Sequence, residues 1–239
     1  IDEGLVGSEM CIRDRGIPSI SEEMNIYRDL SILEYTGGHL HIPTISTAKS
    51  VDLIREAKLK KLNVSCSTTV HNLFFNDSKL QSFDTNFKVL PPLRSDKDIE
   101  SLIAGVKDGT IDMVISDHNP LNIELKNLEF DNADFGTIGL ESCFGALNKL
   151  FSTKMTIDIL TRGKKVFNIK NNSIRIGELA DITMFNPFYD YSFTEKNIFS
   201  ISKNSIFSGS KLKGLVYGTI CNGKITINEC LSNKIINVI

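Results

Sequence analysis

The chain has 239 residues, of which 41% are hydrophobic and 23% are charged, and its formal net charge is −2. This is the composition of an ordinary globular protein with one large domain or two small ones. The small net charge argues against a nucleic-acid or anionic-membrane partner, and no apolar run reaches the roughly 18 residues of a membrane helix. The five cysteines form no CxxC pair, which favours a reducing cytoplasm over disulfides or structural zinc.

The first fifteen residues differ from the rest of the chain. Residues 1–15 have no clear hydrophobic periodicity, and their last nine, Gly-Ser-Glu-Met-Cys-Ile-Arg-Asp-Arg, resemble a translated sequencing adapter. We expect a non-native leader here, with a genuine disordered leader as the alternative.

Strands and helices alternate from residue 19 to residue 167. The spacing from Ser19 to Glu22 is that of a capping box and predicts the start of the first helix, which ends at Gly37 and Gly38. Hydrophobic patterns then predict strands at 39–45, 63–70 and 111–116, and helices at 48–62, 96–107, 144–151 and 156–167. Such alternation indicates parallel βαβ units and an α/β fold. A complete eight-stranded barrel needs roughly 250 residues, so three strands predict part of a barrel at most.

After about residue 168 the pattern changes to that of an antiparallel β-structure. Residues 174–185 alternate like a strand, and residues 215–220 and 224–227 form a predicted hairpin around Asn222 and Gly223. We therefore expect a second, β-rich segment at 168–239.

An acid and a histidine follow the third predicted strand. Residues 111–116 are apolar enough to be buried on both faces, and Asp117 and His118 come directly after them. In a (β/α) barrel the carboxyl ends of the strands carry the catalytic residues. Asp117 is therefore a candidate general base, although a strand-end acid that caps a turn is the plainer interpretation.

Five short motifs support a family resemblance. They are Ile45-Ser-Thr47, Pro91-Pro-Leu-Arg94, Asp108-Gly-Thr-Ile-Asp112, Ser116-Asp-His-Asn-Pro120 and Phe135-Gly-Thr-Ile-Gly-Leu-Glu141. In this order and spacing they resemble the dihydroorotases, which are zinc-dependent cyclic amidohydrolases. The resemblance implies the C-terminal part of a TIM-type (β/α)8 barrel at 16–167, a small β-sandwich segment at 168–239, truncation at the N-terminus and a cytoplasmic location.

The resemblance also implies roles for single residues. Asp117 takes the place of the strand-end acid that binds zinc and moves the proton. The implied substrate contacts are Arg94, His118, Phe135 and Gly136.

Several positions depart from the family pattern. Thr44 stands where the sixth-strand zinc ligand is a histidine, Leu90 where an asparagine precedes the Pro-Pro-Leu-Arg run, and Leu121 where a pocket histidine is usual. One carboxylate cannot hold a catalytic zinc, which needs about three protein ligands, so we expect the chain alone to bind none and to be inactive.

The other histidines are expected to play no part in metal binding. His39 and His41 form an H-x-H pair that we expect to lie at the surface or in packing, at the entry of a strand. His71 lies in a run that shapes the pocket in the family.

Three functions remain open at this point. The first is a dihydroorotase, which hydrolyses dihydroorotate reversibly to N-carbamoyl-aspartate in pyrimidine synthesis. The second is a non-catalytic subunit that stabilises aspartate carbamoyltransferase, and the third is an allantoinase-like or hydantoinase-like enzyme. Because three parallel strands leave an open edge and an uncovered apolar face, we also expect poor solubility, or dependence on that partner or on further copies of the chain.

Overall fold

The computed structural model of the chain describes residues 17–169, 174–221 and 223–228. The predicted leader at 1–15 lies outside the described residues. Contacts divide the chain into two compact units, one of residues 1–139 and 202–206 and one of residues 140–201 and 207–239. The predicted boundary between barrel and sandwich segments, at 167 and 168, stays a prediction. None of the helices in the described ranges has the length and hydropathy needed to cross a membrane.

The first unit is built on a parallel sheet of three strands. Its elements are α1 (Ser19–Thr36), β1 (Leu40–Ile42), α2 (Ala48–Leu59), β2 (Val64–Thr69), α3 (Val70–Phe74), α4 (Asp96–Asp108), β3 (Met113–Ile115) and α5 (Ile123–Lys126). Short 3-10 turns lie at Asp77–Ser82 and Thr85–Phe87. The strand order is β1-β2-β3, and both neighbouring pairs are parallel. The predicted α/β class is thus confirmed.

The central strand β2 is buried along its whole length. Leu40 pairs with Val64 on one side, and Ser67 pairs with Met113 on the other. Parallel strands with both faces covered are expected to be buried in this way. Part of the cover comes from α2 and α4, which pack on each other and bury Ile54 and Leu102 completely.

The helix ends follow local signals in one case and depart from them in another. At the start of α4, Ser95 and Asp98 form a reciprocal capping box, and Gly109 ends the helix with a φ of 83°. The capping box predicted from Ser19 to Glu22 is wrong. Pro18 occupies the N-cap of α1 and has no side-chain acceptor, so Ser19 is the first residue of the helix, and Glu22 bonds to the start of another helix.

Two of the parallel strands are shorter than predicted. β1 stops at Ile42 because Pro43 has no backbone N–H to donate to a neighbouring strand. β3 stops at Ile115, two residues before Asp117 turns the chain with a φ of 46°. Both changes place the candidate residues in loops at the strand ends rather than within the strands.

The second unit combines two helices with an antiparallel sheet. Its elements are α6 (Leu140–Leu150), α7 (Thr153–Val166), β4 (Ile182–Ser192), β5 (Lys211–Cys221) and β6 (Lys224–Ile227), with a 3-10 turn at Glu195–Asn197. The strand order is β4-β5-β6. Helix α6 packs on β5, and the largest buried side chains include Leu147, Phe193, Phe207 and Leu212.

The predicted strands of this unit are partly confirmed. β4 begins at Ile182 rather than at 174, because Gly177 lies in a turn with a φ of 89°. The β5–β6 hairpin is present, with Cys221 paired to Lys224, while Asn222 lies outside the described residues. The described part of this unit contains a single sheet, so the β-sandwich stays a prediction.

Candidate functional site

Asp117 lies at the carboxyl end of β3, where the chain leaves the sheet. Its backbone is left-handed, a conformation that aspartate tolerates better than most residues. Its side chain is 26% exposed, and burial raises the pKa of the carboxyl group. The site therefore presents a reachable carboxyl group with more than ordinary proton affinity, as a general base requires.

His71 lies behind Asp117, in the first turn of α3. This helix begins directly after β2, where the Thr69 side chain accepts a hydrogen bond from the Asn72 N–H. The imidazole of His71 is fully buried, and its Nε2 is 3.9 Å from Oδ2 of Asp117. Burial lowers the pKa of His71 to about 3, so the ring is neutral.

The residues after Asp117 are held against the segment that precedes α6. His118 pairs with Thr137 in a parallel bridge, and the Asn119 N–H donates to the Thr137 carbonyl at 2.7 Å. The Gly139 N–H donates to Nδ1 of His118 at 3.3 Å. The imidazole of His118 is thus engaged by the backbone, and its predicted substrate contact stays a prediction.

Two glycines allow this close approach. A Cβ on Gly139 would lie 1.9 Å from the Ser116 carbonyl oxygen. Gly136 has a φ of 148°, and a Cβ there would lie 2.5 Å from Nδ2 of Asn119. The glycines of the Phe-Gly-Thr-Ile-Gly motif therefore have a packing reason at the strand end, because a side chain would push the two segments apart.

Phe135 and Gly136 also contact the loop before the Pro-Pro-Leu-Arg run. The Gly136 N–H donates to the Lys88 carbonyl at 3.0 Å, and Nζ of Lys88 lies 4.8 Å from the centre of the Phe135 ring. The Phe135 carbonyl accepts from Nδ2 of Asn119 at 3.1 Å. These backbone groups are used within the protein, while the Phe135 ring is 42% exposed and open to a ligand.

Arg94 is engaged in contacts that join three parts of the first unit. Its Nε donates to Oγ of Ser46 at 3.1 Å, and its Nη1 donates to the Ile17 carbonyl at 2.8 Å. Nη2 is buried with no hydrogen-bond partner among the described residues. The structure thus places Arg94 beside the end of β1, and its predicted substrate contact stays a prediction.

Glu22 has a role that the sequence did not reveal. Its carboxylate accepts from the backbone N–H groups of Ser46 and Thr47 at 2.8 and 3.3 Å, and from Oγ of Ser50 at 2.7 Å. The N-terminus of α2 attracts a negative charge, so a carboxylate from α1 is favourable there. Local spacing assigned Glu22 to its own helix because the partner lies 24 or more residues away.

Two of the three positions that depart from the family pattern line one cavity. Thr44 and Leu90 both face a space of about 380 Å³ that Glu22 and Arg94 also line. Leu90 is 54% exposed. Leu121 does not line this cavity, and its N–H donates to Oδ1 of Asn204 at 3.3 Å. Thr44 lies just beyond the end of β1 and donates its N–H to Oγ of Ser67 at 3.3 Å.

The H-x-H pair lies as expected. His39 is exposed, and Nδ1 of His41 is 2.9 Å from Oγ of Ser65.

The donor set around Asp117 does not fit a catalytic zinc ion. Over the described ranges, no group of three or more His, Cys, Asp or Glu residues could hold a metal. Asp117 and His71 supply two donors at most, and a catalytic zinc needs about three protein ligands.

The comparison with protein families decides the ancestry of the chain. The model of the amidohydrolase family matches residues 12–226. The chain belongs to the amidohydrolase family.

Curated relatives place this amidohydrolase near the dihydroorotases. It is 40% identical to the dihydroorotase of Endomicrobium trichonymphae over 226 residues, which cover 91% of this chain and 54% of the relative. It is also 40% identical to the dihydroorotase of a Thermoanaerobacter species, covering 88% of this chain and 50% of the relative. The resemblance drawn from the motifs is confirmed. The chain spans about half the length of the curated relatives it matches.

Solved structures agree with the fold of this amidohydrolase. A D-hydantoinase structure matches 89% of this chain and 50% of its own with a TM-score of 0.79 at 23% identity. A dihydropyrimidinase from Brevibacillus agri matches 88% of this chain and 49% of its own with a TM-score of 0.78 at 24% identity. The likeness concerns the fold, and it is consistent with part of a TIM-type hydrolase barrel.

Proposed function

We propose that this chain is part of a dihydroorotase, which opens the ring of dihydroorotate to give N-carbamoyl-aspartate and closes it again in pyrimidine synthesis. The observation that carries the proposal is the set of dihydroorotase relatives at 36–40% identity, which match about nine-tenths of this chain. Asp117, a half-buried carboxyl group at a strand end, supplies the acid–base group that the reaction needs.

In this proposal Asp117 moves one proton. A water molecule attacks the ring carbonyl carbon, and Asp117 takes the proton that the water loses. When the C–N bond of the ring breaks, Asp117 returns that proton to the leaving nitrogen. The products are a carboxylic acid, which releases the second hydrogen of the water to solvent as a proton and becomes a carboxylate, and a carbamoyl nitrogen; the reverse path takes up that proton and closes the ring.

We further propose that the 239-residue chain is inactive by itself. The described residues supply too few ligands for a catalytic zinc, as argued above, and Thr44 replaces an imidazole. On this view residues 16–167 are the C-terminal part of a barrel, and residues 168–239 are a β-sandwich segment. The proposed location is the cytoplasm.

Complementation tests this function directly. The chain is co-expressed with the half of the Endomicrobium trichonymphae dihydroorotase that it does not match, and dihydroorotate turnover is measured. We expect turnover only in the complemented sample, and a loss of at least about 10³-fold in Asp117→Asn. Asp131→Asn, at an exposed aspartate, is the matched control and should leave turnover unchanged.

The complemented sample is also assayed with hydantoin and with allantoin as substrates. Turnover of either of these without turnover of dihydroorotate would replace the proposal with the hydantoinase-like or allantoinase-like alternative. Turnover that survives Asp117→Asn would remove Asp117 from the mechanism.

A non-catalytic subunit is the second candidate. Thr44, Leu90 and Leu121 favour it, because polar groups expected in a substrate pocket are absent at positions internal to the match. The test mixes the chain with aspartate carbamoyltransferase. A higher melting temperature of the transferase, with no bound zinc and no turnover in the complemented sample, would favour this function.

A further inference from the structure

His71 is a polar side chain that lies in the interior of the protein. It is fully buried, and neither ring nitrogen has a hydrogen-bond partner among the described residues. An unpaired buried polar group costs about 1–3 kcal/mol. A buried group of this kind needs an explanation, such as a partner that it meets in another side-chain arrangement.

The Asp117 carboxylate is the partner that the geometry offers. Its Oδ2 is 3.9 Å from Nε2 of His71, which is too long for a hydrogen bond but about 1 Å from a good one. The Asp117 side chain is partly exposed, so it has room to turn, whereas the buried imidazole has none. A neutral imidazole carries one N–H, and in the Nε2–H form this donor faces the carboxylate.

The nearby His118 is engaged through Nδ1 by another segment of the first unit. Nδ1 of His118 accepts from the Gly139 N–H, on the segment that fixes the residues after Asp117. His71 instead approaches Asp117 from the end of β2. Two neighbouring strand ends thus meet at the carboxylate.

We infer that His71 is a positioning residue for Asp117, donating a hydrogen bond from Nε2 to Oδ2 and leaving Oδ1 free to face the reacting water. A carboxylate that takes and returns a proton must point at one place throughout the reaction. The left-handed backbone of Asp117 sets the direction of the side chain, and the imidazole restricts its rotation. The catalytic consequence rests on the proposed function, but the hydrogen bond itself does not.

Nuclear magnetic resonance of the full chain tests the hydrogen bond without any activity. The chain has four histidines, so ¹⁵N-histidine labelling gives a spectrum that can be assigned. We expect a slowly exchanging, hydrogen-bonded Nε2–H signal from His71 in the wild type, and its loss or upfield shift in Asp117→Ala. Asp131→Ala should leave the signal in place. An unchanged signal in Asp117→Ala, or a ring proton on Nδ1, would overturn the inference.

Kinetics of the complemented enzyme test the positioning role. We expect His71→Phe to lower kcat about 10- to 100-fold and to leave KM little changed. Losses of this size are typical when a residue that orients a reacting group is removed. His71→Gln, which can donate from a similar place, should recover part of kcat. Equal kcat in wild type and His71→Phe would overturn the role. If the wild type shows no turnover of any substrate, the proposed function fails, and the magnetic resonance result still decides the inference.

Discussion

Lys126 is a buried lysine whose ammonium group lies among backbone carbonyls. Its Nζ donates to the carbonyls of Thr85, Lys88 and Asp134 at 2.8, 3.2 and 2.9 Å. Burial, and then the charge of Lys88, lower the pKa of Lys126 from 10.5 to about 8. This lysine joins the loop before the Pro-Pro-Leu-Arg run to the segment that leads to Phe135.

The lowered pKa of Lys126 predicts how stability depends on pH. Between about pH 8 and 10.5 the unfolded chain binds more protons at this residue than the folded chain. The free energy of unfolding should therefore rise with pH across this window through this residue. Urea unfolding at several pH values should show a smaller rise in Lys126→Met, while Lys97→Met, at an exposed lysine, keeps the wild-type slope. Equal slopes in all three proteins would contradict the prediction.

At single positions, the sequence indicated candidate site residues better than it indicated the residues that they contact. Asp117 was identified because a buried apolar run ends in an acid, which is a local pattern. Its approach to His71, 46 positions earlier in the chain, depends on the packing of β2 against β3 and has no local signal. The contacts of Arg94 with Ile17 and Ser46 are also non-local and have no signal in the sequence, while its substrate contact stays a prediction.

The start of α2 illustrates how one helix stabilises another. Besides the bonds from Glu22 of α1, the Ala48 N–H donates to a carboxylate oxygen of Asp98 on α4 at 2.8 Å. Carboxylates from two other helices therefore satisfy N–H groups that a helix start leaves free.

Removal of the Glu22 carboxylate should destabilise the first unit. Glu22→Ala leaves the N–H groups of Ser46 and Thr47 and the Ser50 hydroxyl without their acceptor, so we expect a loss of about 2–4 kcal/mol. Glu23→Ala, one position along the same helix, should change stability by less than about 0.5 kcal/mol. Chemical denaturation measures both. Similar losses in the two variants would mean that the Glu22 carboxylate contributes little to the folded state.

Gly139 should be intolerant of a methyl group. In Gly139→Ala the new Cβ would meet the Ser116 carbonyl at 1.9 Å, so the backbone beside Asp117 would have to move. We expect a loss of about 3 kcal/mol, which is typical of severe overpacking.

Gly105→Ala is the control for this substitution. Its Cβ would lie 3.0–3.2 Å from side-chain carbons of Val51 and Ile111, which would have to move by only a few tenths of an ångström. Thermal melting should separate the two variants clearly. A normal melting temperature for Gly139→Ala would mean that the two segments are not in such close contact.

Element boundaries were predictable where their causes are local. The helix predicted at 96–107 is observed as α4 at Asp96–Asp108, and its capping box and terminal glycine are local causes of these bounds. The strands β1 and β3 were predicted too long, and β4 was predicted to begin too early, because strand bounds depend on a neighbour's hydrogen bonds, a proline or a glycine turn. The capping box predicted at Ser19 is absent, since α1 has Pro18 as its N-cap and the Glu22 carboxylate bonds to the start of a helix distant in sequence.

At the scale of the whole molecule, the α/β class followed from the strand–helix alternation, and the family followed from the order of five motifs. The predicted β-sandwich has no comparable local signal for a second sheet, and it stays a prediction. Antiparallel partners can lie far apart in sequence, and the described strands of the second unit form one sheet.

Helix α1 carries two apolar faces, and only one of them is covered. Ile26, Leu30 and Leu33 are buried, whereas Ile20, Met24, Tyr27 and Tyr35 are exposed, Tyr35 by 92%. The exposed residues are spaced by four, three and eight positions, which places them on one stripe of the helix. We name this set the α1 stripe. An exposed apolar stripe of this kind promotes association.

The α1 stripe predicts self-association of the isolated chain. Sedimentation velocity over a range of concentrations should show dimers or larger species, because association buries the stripe. The double variant Met24→Glu, Tyr27→Lys places charges on the stripe and should shift the chain toward monomer. The control Lys97→Glu, Lys107→Glu places two substitutions on α4, at sites away from α1. A monodisperse wild-type monomer at every concentration would mean that the exposed stripe alone does not drive association.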